Sequence, residues 1–188
     1  MKVVLGVIGV LVLIGIISVF VVFGDRNQLS QEREAINKQW MQVDVVLQGR
    51  ADLIPNLVET VKGHAKQEQT VITQVTDART ALAGATTPQE KIQANGQLDT
   101  ALSRLLVVVE NYPQLKSNEN FLRLQDSLEA TENRIAQERQ KYNEAIKKYN
   151  TDIELFPKNI AAALFGFERN DAYFKTEPGV RTAPRVSF

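Results

Sequence analysis

The stretch "VVLGVIGVLVLIGIISVFVVF", residues 3–23, carries no charged side chain. Coiled as a helix with a rise of about 1.5 Å per residue, it covers about 30 Å, the thickness of a bilayer's hydrocarbon core. A cleaved secretory signal has an apolar core of about 7–15 residues and then a small-x-small cleavage site. Here the run is longer and "GDRNQ" follows it, with no A-x-A. The expectation is a retained single-pass anchor over residues 1–24, contacting membrane lipid through residues 3–23. Gly6, Gly9 and Gly15 form no G-x-x-x-G, so the run carries little sign of a dimerising face. Arg26, Arg33 and Lys38 follow it and Lys2 precedes it, so the positive-inside rule favours a cytoplasmic body.

The rest of the chain is constrained by what it lacks. Lys and Arg number 22 against 22 Asp and Glu, so no basic face points to nucleic acid. Cysteine is absent, which excludes disulfides, thiol nucleophiles and thiolate metal sites. From Leu29 onward an apolar stripe advances by three and four through Ile36, Trp40, Val43, Leu47, Ile54, Leu57, Val61, Val71, Val75, Ala78 and Leu82. Polar slots of the same stripe fall on Arg33, Arg50, His64 and Glu68. That period belongs to a helix packed in a bundle or coiled coil. It keeps phase across Pro55, which predicts one helix over about 28–83, kinked near 51–55; two helices joined there are the alternative.

"ALAGATTPQEK" then ends one helix and starts another. Gly84 suits a left-handed cap, Thr87 an N-cap, Pro88 the first helical position, and Glu90 completes a T-x-x-E capping box. The second helix should bury Ile92, Leu98, Leu102, Leu105, Leu106 and Val109 and end before Pro113, with Ser117 or Asn118 capping the third. In that third helix Phe121, Leu128, Ile135, Tyr142, Tyr149 and Phe156 recur every seven residues, while the companion column turns polar at Thr131 or Glu132 and at Glu138 or Arg139. Pro157 stops it, a short apolar helix closes at Gly166, and the tail has aromatic spots at Tyr173, Phe174 and Phe188. The expected fold is all-α: an N-terminal transmembrane helix, an antiparallel bundle of three to four long helices over residues 25–167, and an extended tail over 168–188.

The polar seam invites chemical readings, and the residue types weigh against them. A di-iron bundle needs two E-x-x-H motifs; here the one histidine is His64, and three residues before it stands Val61. A G-x-S-x-G turn and a phosphate-cradling loop are both missing. No metal, cofactor or catalytic residue is therefore assigned. Buried charges are costly unless paired, and polar seam positions fix helix register. The expectation is an inter-helix polar layer drawn from Arg50, Asp52, His64, Glu68, Glu132, Glu138 and Arg139, with His64 and Glu68 one turn apart as a further pair.

Three long segments, "VDVVLQGRADLIPNLVETVKGHAKQE", "YPQLKSNENFLRLQDSLEATENRIAQERQKYNEAIKKYN" and "FPKNIAAALFGF", together with the closing "VSF", resemble the LemA family of bacterial membrane proteins. Gly49 departs from the polar or basic residue expected beside Arg50. The resemblance implies a single N-terminal span in the bacterial plasma membrane, a helical bundle, no established enzymatic activity, and a branch linked with magnetosome formation. The functional expectation is a non-catalytic, membrane-anchored scaffold with protein partners and self-assembly. The rival is a sensor or regulator holding a small ligand or partner helix near Pro55, lined by Arg50, His64 and nearby glutamates.

Overall fold

A computed structural model describes residues 2–65 and 67–175, with side chains from residue 4 onward. All regular structure among them is helical. Helix α1 runs Lys2–His64, α2 Gln69–Gly84, α3 Pro88–Val109, α4 Pro113–Lys116, α5 Glu119–Glu154 and α6 Lys158–Phe165. The chain divides into two compact units: residues 1–46 with 136–171, and residues 47–135 with 172–188. The "VSF" ending and Phe188 lie outside the described residues.

Helix α1 begins with the apolar run and stays helical through Pro55. The side chains from Val4 to Phe20 are exposed, and this segment is long and apolar enough to cross a membrane. Pro55 faces outward. Lacking an N–H, it leaves the Ala51 carbonyl four residues back without its ladder partner. Arg79 Nε of α2 reaches that carbonyl over a long 3.5 Å.

The predicted helix over 28–83 is corrected. The chain leaves the helix after His64 and resumes at Gln69, within the stripe's two adjacent polar slots. Ala65 is buried in that connection and its N–H donates to Val61 O at 2.8 Å, so the apolar register passes from Val61 to Ala65 rather than to His64. Helix α2 accordingly buries Ile72, Val75, Ala78 and Leu82, with Val71 only half-buried.

In the second unit α2 and α3 pack on each other, with Arg104 Nη1 donating to Gln74 Oε1 at 3.2 Å. Their link carries the predicted capping box: Glu90 N–H donates to Thr87 Oγ1, and Thr87 N–H donates back to Glu90 Oε2. Backbone donors at Thr86 and Thr87 hold the Glu90 carboxyl below its usual range. Gly84 does not take the left-handed conformation expected of it; Ala85 caps α2 in extended geometry, and the positive φ among the described glycines is that of Gly166, at 70°. Asn118 Oδ1 caps α5, accepting from the N–H groups of Asn120 and Phe121.

In the first unit, α6 buries Ala161 and Ala162 against Leu29, with Val22, Ile153 and Phe167 alongside. Trp40 and Tyr142 meet at 5.2 Å between ring centroids, and burial pushes the Tyr142 phenol up to about 12. The heptad column fails at its end: α5 stops at Glu154, so Phe156 leaves the seam and is 79% exposed. Beyond Gly166 the chain is strapped to α5. Tyr149 Oη donates to Glu168 O at 2.9 Å, Asn150 Nδ2 donates to Asn170 O at 2.7 Å, and Asn170 N–H donates back to Asn150 Oδ1 at 2.9 Å.

Candidate functional site

The stripe of α1 places Arg50 inside the second unit, where it is 6% exposed. A guanidinium there must find acceptors, because an unpaired buried charge is expensive. Its Nη1 donates to Asp99 Oδ1 at 2.5 Å and Asn95 Oδ1 at 3.0 Å on α3, and lies 3.0 Å from Glu132 Oε2 on α5. Asn95 Nδ2 in turn donates to Asp99 Oδ2 at 3.1 Å, so α3 presents a prearranged acceptor pair. Arg50 Nε is buried without an acceptor among the described residues. Three helices thus meet at one cation.

Of the residues expected in a polar layer, Arg50 and Glu132 come together, and the others have different surroundings. Asp52 is exposed and accepts from Gln48 Nε2 at 2.8 Å on its own helix. His64 is exposed, with Nδ1 3.1 Å from Thr60 O. Glu68 does not pair with His64; it accepts from Tyr112 Oη at 2.9 Å, and this carboxylate raises the Tyr112 phenol. Glu138 and Arg139 belong to the first unit, where Glu138 accepts from Lys141 Nζ at 2.9 Å. The expectation missed Asn95 and Asp99. A signal for Asn95 was present: residues 95, 98, 102, 105 and 109 step by three and four, putting Asn95 on the buried stripe of α3, where it is 1% exposed.

Beside Arg50 runs a groove of about 420 Å³. Its walls are apolar along Leu57, Leu102, Leu105 and Phe121, and Arg50, Asp99 and Glu132 contribute its charge. The hollow at Pro55 is separate and smaller, about 200 Å³, and is bounded by Val58, Thr76 and Arg79 rather than by Arg50 or His64. Among the described residues no group of three or more His, Cys, Asp or Glu is arranged to hold a metal ion.

The first unit has its own ionic centre. Lys148 bridges Glu32 and Asp152, and Lys158 bridges Asp152 and, at 3.8 Å, Glu32. Burial pushes the Asp152 carboxyl up, but hydrogen bonding with Lys158, Glu32 and Lys148 outweighs it and brings it down to about 2. The hydrogen bond to Glu32 raises Lys148. The centre ties α1, α5 and α6 together.

The sequence profile of the LemA family matches residues 39–188, a range that contains both centres apart from Glu32. The chain belongs to the LemA family. Among curated LemA-like relatives, magnetosome protein MamQ 2 of Paramagnetospirillum magneticum is 31% identical over 161 aligned positions, covering 72% of this chain and 59% of that protein. Magnetosome protein MamQ of Magnetospirillum gryphiswaldense is 28% identical over the same shares. Protein LemA of Metamycoplasma hominis is 21% identical, covering 76% of this chain and 66% of that protein. The chain therefore spans about three fifths of the length of the MamQ relatives.

Proposed function

We propose that this LemA-family chain is a membrane-anchored, non-catalytic scaffold: a single span over residues 3–23 carries a helical bundle that works through protein contacts and self-association. The observation that supports this most is α1, one helix from Lys2 to His64 that leaves the apolar run without a break. Within the first unit, a helix of that kind passes the orientation of the anchor directly on, because rotating one end rotates the other. The packed α2 and α3, and the three-helix junction at Arg50, support a bundle whose alignment is set by charge rather than by apolar contact alone. Two relatives are named magnetosome proteins, and the cations that follow the apolar run favour the cytoplasmic side of a bacterial plasma membrane for the body.

The test is crosslinking in native membranes followed by size analysis and identification of neighbours. Discrete oligomers or defined partners are expected; a lone monomer without neighbours would overturn the reading. Impermeant labelling of a cysteine placed at residue 175 in intact cells is expected to fail, and efficient labelling would reverse the assigned side. A second reading, a sensor holding a small ligand between helices, is favoured by the groove beside Arg50. It predicts that an apolar amine of drug size protects the chain against thermal unfolding, an effect that Asp99→Asn reduces.

A further inference from the structure

Helix α6 is built inside out for a helix in water. Two of its three alanines, Ala161 and Ala162, are buried against Leu29 and Val22, and Ala163 is exposed. Ile160 and Leu164, one turn apart, are 44% and 67% exposed, and Phe156, four residues earlier, is 79% exposed. Leu155 beside it is 57% exposed. A short surface helix in water normally turns its large apolar side chains inward and its polar ones outward. Contiguous exposed apolar patches mark a surface that meets something else.

The position of α6 says what that is. The ring of Phe165 stands 5.9 Å from that of Phe23, the last residue of the apolar run, and Val22 packs into the same cluster. A run that matches the hydrocarbon thickness puts this last turn at the boundary between acyl chains and headgroups. Arg26 lies over the Phe165 ring at 5.4 Å, a cation at headgroup height. Phe165, 40% exposed, thus joins α6 to the exposed apolar surface at Phe23.

We infer that α6 is a second membrane contact: Phe156, Ile160 and Leu164 sit in the interfacial layer of the bilayer, beside the span. The partner is the lipid surface itself, entered to the depth that an amphipathic interfacial helix reaches, about 5–10 Å. The contact holds the first unit against the membrane at a point other than the anchor, which restricts rotation of that unit about the span. It rests on the anchor reading of residues 3–23.

The experiment uses the full chain, which has no cysteine of its own, reconstituted in phosphatidylcholine–phosphatidylglycerol vesicles. Single cysteines carry an environment-sensitive dye at Val19 in the span, at Ile160 or Leu164, or at the exposed Ser127 of the second unit. Lipids brominated along their acyl chains serve as quenchers. Quenching at Ile160 and Leu164 is expected to exceed that at Ser127 at least fivefold and to approach that at Val19. With the dye at Ile160, Leu164→Asp is expected to reduce quenching severalfold while quenching at Val19 persists. If Val19 is quenched but Ile160 and Leu164 behave like Ser127, the inference falls and the anchor stands. Blue-shifted but unquenched emission at Leu164 assigns the face to protein and overturns it equally. Loss of quenching at Val19 overturns the anchor and this inference together.

Discussion

The two units solve one problem, holding charged groups among helices, in opposite ways. In the first unit two cations and two anions, Lys148, Lys158, Glu32 and Asp152, form a closed set in which each charge has more than one partner. In the second unit a single buried cation, Arg50, serves Asn95, Asp99 and Glu132 through one nitrogen. The first arrangement is redundant: a lost member leaves charges that still have partners. The second is convergent: everything passes through one side chain, so it specifies alignment sharply and tolerates loss badly. The side chains of its carboxylates are 33% and 42% exposed, so water can rescue the anions but not the arginine.

The contrast is broken most directly by Arg50→Ala in the full chain in detergent. Loss of three contacts and of a packed side chain is expected to cost about 3 kcal/mol, read by urea denaturation followed by circular dichroism. A cost no larger than that of a surface lysine would erase the distinction. Asp99→Asn removes one charge and leaves Arg50 with Glu132, and is expected to cost about 1.5–2 kcal/mol by the same measurement. Lys148→Met should cost less than about 1 kcal/mol, since Lys158 still bridges Asp152 and Glu32. Trp40, the one tryptophan, lies in the first unit and gives that unit its own fluorescence signal.

Acid gives a further test of the first unit. Asp152 titrates lower when folded, about 2, than its ordinary 3.8. Its contribution is therefore complete above about pH 4 and is lost as pH falls towards 2. Lys148 titrates higher when folded, so its contribution is complete below its ordinary 10.5 and disappears only at still more alkaline pH. The urea midpoint of Trp40 emission should fall between pH 4 and 2, and Asp152→Asn should flatten that part of the profile. An unchanged slope in the variant would remove Asp152 from the account.

Features that rest on nearest neighbours in the chain were legible in the sequence. Thr87 with Glu90, Asn118 and Gly166 act through bonds within four residues or through a single φ angle, and each sits where its local signal put it. The turn after His64 was hidden because an apolar stripe can be followed across a break when its phase is nearly kept. The two polar slots at His64 and Glu68 were the mark of the break rather than part of a layer. Gly84 shows that a glycine at a helix end permits a left-handed cap without requiring one. The acceptors of Arg50 were partly legible: Asn95 betrayed itself by spacing, whereas Asp99 is on the half-buried side of α3 and reaches the guanidinium only through the pairing of α3 with α1. Which helix faces which is a long-range fact, and periodicity within one segment does not contain it.

The amide of Asn150 carries a consequence that outlasts folding. It offers a donor and an acceptor to the backbone of residue 170, as a neighbouring peptide group would, and is 3% exposed. Deamidation would exchange its –NH2 for an anionic oxygen of nearly the same volume, turning attraction for the Asn170 carbonyl into repulsion. An aged molecule would then hold its strap through Tyr149 and Glu168 with one of its ties turned repulsive.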